Sequence, residues 1–360
     1  MNWAAAALLA VATLDPGPGL PSRDQIMAVP PELHAQFQEQ VIRKGDSTDE
    51  RLRLLIDFVL NDPELQLEYD NNLTRTISET YRTRKANCLS FTLLFSALAR
   101  EAGIKTQIQE YEQVLVWYQN NGLVFNSSHV NVLVKRGGTR QIVDVGRNVL
   151  ISRYRPRPIP EQRAIAFFYN NRGVELMAQN QLAAARQHLD AAIELAPTHA
   201  ASWSNRGVLE LRMGNALAAE RAYRKALELD SRHGAALANI VTLYQRSGQD
   251  DLANRYLRRL QRVQLDDPFH QFMLAMDFEK RGEYGHAVPY YRRAIRLHGE
   301  EPAFHMGLAR SYSALGDVRR ARRELSRAEN LKDENTRRAL HAKNEERRQR
   351  AGSVAQQVSR

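Results

Sequence analysis

The second half of the chain repeats one pattern of apolar and polar positions every 34 residues. With repeat starts at residues 166, 200, 234, 268 and 302, the twentieth position is alanine each time: Ala185, Ala219, Ala253, Ala287 and Ala321. The fifteenth position is asparagine or glycine: Asn180, Gly214, Gly248, Gly282 and Gly316. Because both residue types accept a positive φ, they predict the end of the first of two helices in each repeat. Such units must stack to bury their apolar faces, so the pattern predicts an all-α solenoid over residues 166–335.

Two further columns concern the packing of these helices. The eighth position is small or medium-sized: Gly173, Gly207, Val241, Ala275 and Ala309. The twenty-fourth position is large: Leu189, Tyr223, Leu257, Tyr291 and Leu325. We expect the small residues to let two antiparallel helices approach closely, and the large residue to fill the gap to the next helix. The five registers together resemble a tetratricopeptide-repeat array, which implies that a protein or peptide partner binds on the concave face of the first helices.

Asparagine recurs at the sixth position of the first three repeats, as Asn171, Asn205 and Asn239. One amide per repeat predicts a ladder that holds a peptide backbone on the concave face. The alternative is that these residues only tolerate exposure or cap local backbone. Both interpretations stay open at this point.

The first half of the chain has a mixed pattern that predicts an α+β domain over residues 20–160. Apolar spacing predicts helices over Pro31–Lys44, from the capping box of Ser47 and Glu50 to about Leu60, and after Asn87. Alternating segments then predict strands at Ile104–Tyr111, Val114–Tyr118, His129–Lys135 and Arg140–Gly146. Helices followed by an antiparallel meander are typical of an α+β fold.

Cys88 is the only cysteine in the 360-residue chain, which excludes an intramolecular disulfide and a multi-cysteine zinc or iron–sulfur site within one subunit. Asn87 is a good N-cap, so we expect Cys88 at the first position of the following helix. Unpaired N–H groups and the positive end of the helix favour a thiolate there. Arg84 and Lys85 would add to this effect if they lie close to the thiol.

A thiol nucleophile needs a base and a group that orients the base. Residues 136–139 (Arg-Gly-Gly-Thr) predict a hairpin turn in which Lys135 pairs with Arg140. This register pairs Asn131 with Asp144 and places His129 and Asp144 diagonally on one face, within reach of a hydrogen bond. A slip of one residue would separate them.

These features together resemble the transglutaminase-like, papain-related fold in its short bacterial form, over about residues 65–150. The matching segments are Arg84-x-x-Asn87-Cys88 with the helix behind it, the strand from His129 and the strand that ends in Val143-Asp144. The resemblance implies that Cys88 is the nucleophile, His129 the general base and Asp144 its orienting group. It also implies an oxyanion site formed by the Cys88 backbone N–H and an upstream polar side chain, which the sequence does not identify.

Two functions are consistent with this reading. The first is a cysteine acyl-transfer enzyme that hydrolyses or transamidates amides, with its substrate or partner recruited by the repeats. The alternative is a non-catalytic adaptor or assembly factor with an inactive transglutaminase-like module. We expect no cofactor and no metal, because no paired metal-ligand spacing or phosphate loop occurs. The net charge of +10 permits acidic partners, but no motif for specific nucleic-acid binding is found, and the oligomeric state is left open.

Both ends of the chain differ from the middle. Residues 3–14 form an apolar run that is shorter than the ~20 residues of a membrane span. Such a run followed by Asp15-Pro16 is typical of a signal peptide, so residues 1–19 predict export to the periplasm. The first basic residue is Arg23, so a cytoplasmic protein with an apolar N-terminus is the alternative. Residues 336–360 form a basic tail that predicts a solvated capping helix.

Four aromatic residues line a substrate cleft or fill the sheet core: Tyr111, Trp117, Tyr118 and Phe125.

Overall fold

The computed structural model describes residues 19–62, 65–111, 117–120, 123–126, 129–136, 139–144 and 156–331. The apolar run at 3–14 and the basic tail at 336–360 lie outside these ranges, so the expectations for them stay predictions. Within the described ranges, no helix is both long enough and apolar enough to cross a membrane.

The N-terminal region begins with helices that surround one central helix. They are α1 (Arg23–Met27), α2 (Pro31–Phe37), α3 (Thr48–Leu60), α4 (Ile77–Thr83) and α5 (Cys88–Glu101). The helix predicted at Pro31–Lys44 is present, but its second half, Gln38–Ile42, has π-helical hydrogen bonding. The Ser47 hydroxyl accepts a hydrogen bond from the Glu50 backbone N–H, which explains why α3 begins at the predicted position.

Helix α5 is the centre of the N-terminal core. Its side chains from Leu89 to Ser96 are buried, and Phe91 and Phe95 stack with their rings 6.0 Å apart. The helix packs against α3, α4 and the main sheet, and α6 of the first repeat contacts it as well. Burial of each such apolar side chain contributes roughly 1.5–3 kcal/mol, so the position of the α5 N-terminus is fixed by the packing along the whole helix.

The strands form one main sheet and two small pairs. They are β1 (Glu68–Tyr69), β2 (Lys85–Ala86), β3 (Thr106–Tyr111), β4 (Trp117–Asn120), β5 (Leu123–Asn126), β6 (His129–Arg136), β7 (Thr139–Val143) and β8 (Arg157–Ile159). The main sheet is antiparallel in the order β7-β6-β3-β8. The predicted simple meander is therefore wrong. The strand expected to follow β3 in the main sheet is β4, but β4 pairs with β5 in a separate two-stranded sheet. Strand β8 pairs with the other edge of β3 instead.

The register predicted for the hairpin is confirmed. Lys135 pairs with Arg140, and the pairing continues to Val132 and Val143. Gly146, which the same register places opposite His129, lies outside the described residues. The turn length therefore fixed which residues of β6 and β7 share a face.

The second half folds as pairs of antiparallel helices. They are α6 (Glu161–Ala178), α7 (Leu182–Leu195), α8 (Ala200–Arg212), α9 (Ala216–Leu229), α10 (Gly234–Arg246), α11 (Asp250–Leu265), α12 (Pro268–Lys280), α13 (Tyr284–Leu297), α14 (Pro302–Ala314) and α15, described over residues 318–331. Helices α8, α10, α12 and α14 begin at the repeat starts predicted from the period. Helix α6 begins five residues earlier than its repeat, and its first turns are buried in the core around α5 through Ala164, Ile165, Phe167 and Phe168.

The turn between the two helices of each repeat has the predicted backbone. Residues at the fifteenth position have φ between 62° and 83°: Asn180, Gly214, Gly248, Gly282 and Gly316. The packing of the twenty-fourth position differs in part from the expectation. A Cβ atom on Gly207 would overlap the ring of Tyr223 in the same repeat, whereas Tyr291 contacts Gly307 in the next repeat. The large side chain therefore also closes the space within its own repeat.

The first repeat is joined to the N-terminal region by polar contacts. The Glu161 carboxylate pairs with Arg23 at 2.6 Å and with Arg100. The Arg163 guanidinium donates to Glu110 on β3 at 3.0 Å. The backbone of β5 also lies against α8 and α10. The N-terminal region thus contacts the first helices of the first three repeats.

Candidate functional site

Cys88 is the first residue of α5, as predicted from its neighbour. Asn87 has an extended backbone (φ −87°, ψ −179°), and its side-chain oxygen accepts a hydrogen bond from the Ser90 N–H at 2.8 Å. The thiol is partly buried. Because the first N–H groups of a helix lack intrahelical acceptors and carry the positive end of the dipole, this place favours a negatively charged sulfur.

The two basic residues before the cap have other partners. The guanidinium of Arg84 lies 4.1 Å from the centre of the Tyr81 ring. The Lys85 ammonium lies 3.8 Å from the Glu68 carboxylate. The expected contribution of Arg84 and Lys85 to the charge of the thiol stays a prediction.

The cap itself is held from below by a buried threonine. The side-chain nitrogen of Asn87 donates to the Thr74 hydroxyl at 2.8 Å. The next residue, Arg75, donates its backbone N–H to the Ser90 hydroxyl at 2.8 Å. Asn87 and Thr74 are both buried, so these bonds have no water to replace them and they fix the first turn of α5.

His129 and Asp144 meet at the end of the β6–β7 hairpin. His129 is the first residue of β6, and Asp144 directly follows β7. The Nε2 atom of His129 lies 2.6 Å from the Oδ2 atom of Asp144. The diagonal contact predicted from the hairpin register is therefore present.

Cys88 is the second group that acts on the charge of this imidazole. Burial lowers the pKa of His129, but the hydrogen bonds to Asp144 and Cys88, together with the negative charges of both groups, raise it to about 10. At neutral pH this environment favours the protonated, imidazolium form of His129.

Tyr111 covers the imidazole from the neighbouring strand. It pairs directly with His129 across β3 and β6, and the two rings are 5.5 Å apart. The Asn131 amide donates to the Tyr111 hydroxyl at 3.2 Å. Burial raises the pKa of Tyr111, and the charge of Asp144 raises it further against the effect of Asn131. Of the four aromatic residues predicted near the cleft, Tyr111 lies at the site, and the side chains of Trp117, Tyr118 and Phe125 lie outside the described part.

Tyr69 is a residue of this site that the sequence pattern did not reveal. Its strand β1 runs parallel to β2, and Tyr69 pairs with Ala86, two residues before Cys88. Burial and the charges of Cys88 and Asp144 raise the pKa of the Tyr69 phenol, although a hydrogen bond with Asn71 lowers it. The side chain is 45% exposed, so it stands at the open side of the site. A two-residue strand is too short to show an alternating pattern, so no sequence signal marks it.

The asparagines at the sixth repeat position lie deeper than the peptide ladder requires. Asn171 donates to the Thr74 hydroxyl at 3.3 Å, and Asn205 donates to Asn170 at 2.9 Å. Asn205 and Asn239 are 2% and 0% exposed. Asn171 and Asn205 therefore use their amides inside the chain, and peptide binding by the set stays a prediction. Asn170, which the pattern did not single out, lies between Asn205 and Asn171.

Across the described ranges, no three His, Cys, Asp or Glu side chains are arranged to hold a metal ion. At the site, His129 and Asp144 are hydrogen-bonded to each other, and Cys88 at the start of α5 acts on the charge of His129. A thiol at a helix N-terminus near a histidine with a raised pKa can act as a nucleophile.

Two family profiles match the sequence. The profile of the Transglutaminase-like superfamily matches residues 35–114, which include Cys88 and end before His129. The Tetratricopeptide repeat profile matches residues 170–234 and 272–336. The chain is a transglutaminase-like region followed by tetratricopeptide repeats. The fold class expected from the sequence, α+β and then an all-α solenoid, is thereby confirmed.

Solved structures resemble about half of the chain, and the resemblance is distant. "Crystal structure of YrrB: a TPR protein with an unusual peptide-binding site" is 22% identical, covering 50% of this chain and 92% of that one, with a TM-score of 0.26. "Functional Characterization of Pseudomonas Aeruginosa pilF" is 18% identical over 48% and 78%, with a TM-score of 0.29. "MamA 41-end from Desulfovibrio magneticus RS-1" is 16% identical over 47% and 96%, with a TM-score of 0.27. No curated protein matches the chain.

Proposed function

We propose that the chain is a cysteine acyl-transfer enzyme that acts on amides or peptide bonds. The observation that carries this proposal is the 2.6 Å contact between His129 and Asp144, beside the helix N-terminus that carries Cys88, whose interaction with the imidazole raises the pKa of His129 further. A thiol at a helix N-terminus next to a charged imidazole is the arrangement that makes cysteine nucleophilic at neutral pH. The transglutaminase-like profile match supports the same reading.

The first half of the reaction forms a thioester. The Cys88 thiolate attacks the carbonyl carbon, a C–S bond forms, and the carbonyl electron pair moves to the oxygen. The Cys88 N–H at the start of α5 donates to this oxyanion. When the intermediate collapses, the C–N bond breaks and the leaving nitrogen takes the proton from His129.

The second half resolves the thioester. Water or an amine attacks the acyl carbon while His129 accepts the proton of the attacking group. The C–S bond then breaks and the thiolate of Cys88 returns. Water gives hydrolysis and an amine gives transamidation, and both use the same three residues. Asp144 keeps the imidazole oriented and stabilises its positive charge in both halves.

Tyr69 is our assignment for the second oxyanion donor. Its strand is paired with the residues that lead into Cys88, and the charges of Cys88 and Asp144 raise the pKa of its phenol. The raised pKa of the phenol keeps its proton available for donation at neutral pH.

The repeats indicate protein partners for the chain. We place the binding of a substrate protein or peptide on the concave face, which the first helices of the repeats line. Export to the periplasm, inferred from the apolar run at 3–14, would bring this activity to envelope proteins. Cleavage of that run in an expressing bacterium is checked by mass spectrometry of the mature N-terminus.

The test of the proposed chemistry is the rate of thiol alkylation. We expect Cys88 of the full chain to react with iodoacetamide at pH 7 faster than a free model thiol, and His129→Ala to remove the difference. His286→Ala is the matched control, because His286 lies on the exposed surface of α13 and contacts Glu283. A wild-type rate no higher than that of the model thiol, unaffected by His129→Ala, would overturn the proposal.

The second candidate is a non-catalytic adaptor in which the N-terminal region caps the repeats. The observation in its favour is that α6 is buried in the core of the N-terminal region, as a cap on an array requires. This function predicts that Cys88→Ala leaves partner capture by the full chain unchanged. Partners that are captured covalently through Cys88, and are lost with Cys88→Ala, argue for the enzyme.

A further inference from the structure

A row of hydrogen-bonded polar side chains leads from the second repeat to the cap of the nucleophile helix. Its members are Asn205, Asn170, Asn171, Thr74 and Asn87. The first three lie on helices of the repeats, and the last two lie in the N-terminal region. The row therefore crosses the junction between the two parts of the chain.

The donors and acceptors of the row follow one order on the repeat side. Asn205 donates to Asn170 at 2.9 Å, Asn170 donates to Asn171 at 3.3 Å, and Asn171 donates to the Thr74 hydroxyl at 3.3 Å. Asn87 donates to the same hydroxyl at 2.8 Å. Aligned bonds of this kind polarise one another, so the row responds as a unit more than as separate pairs.

Thr74 is the member that joins the two parts. Its hydroxyl oxygen accepts from Asn171 and from Asn87, and its backbone N–H donates to the Glu175 carboxylate at 2.7 Å. Asn171 and Glu175 are four residues apart on α6, so they present one face of this helix to Thr74. The Glu175 carboxylate is in turn held by Arg172 at 2.9 Å. Thr74 is 1% exposed, so this junction is closed to solvent.

The orientation of the Asn87 amide depends on this junction. Its oxygen caps α5 by accepting from Ser90, and its nitrogen must then find an acceptor, which Thr74 supplies. Without that acceptor a buried N–H group would lose its partner, and the amide would turn away from the cap. Since Cys88 is the next residue, the direction of its thiol and of its backbone N–H follows the cap.

We propose that Thr74 and Asn171 are positioning residues for the Cys88 thiol, so that the first repeat helix α6 forms part of the reaction centre and does more than recruit partners. This inference rests on the proposed function, because it assigns a role in the reactivity of Cys88. Asn170 and Asn205 extend the same support to the second repeat. The two positioning residues act through Asn87 and do not touch the substrate.

The experiment compares variants of the full chain in thiol alkylation over a range of pH. Thr74→Val removes the hydroxyl acceptor at nearly constant shape, and Thr74→Ser keeps it. Asn171→Leu removes the contribution of the repeat. Thr242→Val is the matched control, since Thr242 lies on α10 and its hydroxyl donates only to the backbone of its own helix, at Ala238. Circular dichroism melting of each variant shows that it is folded.

We expect Thr74→Val and Asn171→Leu to slow alkylation at pH 7 by about fivefold, the size of a lost helix cap, and to move the pH midpoint upward. Thr74→Ser restores the wild-type profile, and Thr242→Val keeps it. Suppose that the wild-type thiol depends on His129, but folded Thr74→Val and Asn171→Leu keep the wild-type dependence of alkylation on pH. That result would overturn the positioning role alone. A wild-type thiol that is unreactive and independent of His129 overturns the proposed function and the positioning role together.

Discussion

The His129 imidazole and the Asp144 carboxylate lie 2.6 Å apart, although they stand at the two open ends of a hairpin whose pairs stop at Val132 and Val143. A diagonal contact of this kind exists in only one register of the two strands, because a slip of one residue turns one side chain to the opposite face. The register of the hairpin therefore fixes the distance between the His129 imidazole and the Asp144 carboxylate. The reactivity that we propose for Cys88 depends on that distance.

Replacing the carboxylate tests this dependence. In Asp144→Asn, the pKa of His129 falls toward its ordinary value of 6.5, because a strong hydrogen bond and a negative charge are lost. We expect alkylation of Cys88 at pH 7 to slow by about tenfold or more, and acyl transfer to fall by a larger factor. Asp317→Asn, at a surface pair with Arg320, is the control. An unchanged rate in Asp144→Asn would show that the carboxylate does not support the base.

The stability of the chain is expected to fall in alkaline solution for the same reason. The pKa of His129 is about 10 in the folded chain and about 6.5 when unfolded, so the folded state holds the proton more tightly. Its contribution to the free energy of unfolding is complete below about pH 6.5 and is lost as the pH rises toward 10. Urea unfolding at pH 6, 8 and 9.5 under reducing conditions measures this loss. His129→Gln should flatten the dependence, and an equal slope in both proteins would contradict it.

Tyr69→Phe separates oxyanion stabilisation from thiol activation. Alkylation by iodoacetamide creates no oxyanion, so its rate should stay at the wild-type value. Acylation by a small aryl ester passes through a tetrahedral intermediate, and its rate should fall by about 10²-fold. Tyr284→Phe, on the distant helix α13, is the control. Equal loss in both assays would instead place Tyr69 with the groups that hold the thiol.

Packing within the second repeat allows a test that is independent of the site. The Cβ atom of Gly207→Ala would overlap the Tyr223 ring, so we expect a loss of about 1–3 kcal/mol in the free energy of unfolding. Gly285→Ala is the matched control, because no atom lies within 4 Å of its added Cβ and alanine favours a helix. Gly207→Ala combined with Tyr223→Leu should recover part of the loss. Denaturant unfolding of the four proteins checks these values, and equal stability of Gly207→Ala and wild type would contradict the close approach.

The features that the sequence predicts well are those set by local rules. Asn87 caps α5 because of its own side chain, and the four-residue turn fixes the pairing of Lys135 with Arg140. The period of 34 residues predicts where the helices begin, because each repeat places similar residues at the same packing positions. These relations involve residues close in sequence, or copies of one pattern.

The missed features depend on contacts between distant segments. Strand β8 pairs with β3 over a separation of 51 residues, from Ile108 to Ile159, and nothing in either strand specifies the other. Tyr69 reaches the site through a two-residue strand, and Thr74 gains its partners from a helix that begins almost 90 residues later. Asn171 looks like a surface residue in the repeat pattern, but the N-terminal region covers its position. The repeat period predicts the helix that carries Asn171, but it does not predict which other segment packs against that helix.

Helix α6 belongs both to the repeat array and to the core of the N-terminal region. Its residues from Ala166 onward follow the repeat, yet Phe167 and Phe168 are buried in the same core as Phe91 and Phe95 of α5. A cut at residue 166, where the repeats begin by sequence, would divide this core and leave large aromatic side chains exposed on both fragments. The two halves should therefore unfold in a single cooperative transition, and a gene fragment that encodes the repeats alone should yield an aggregating product.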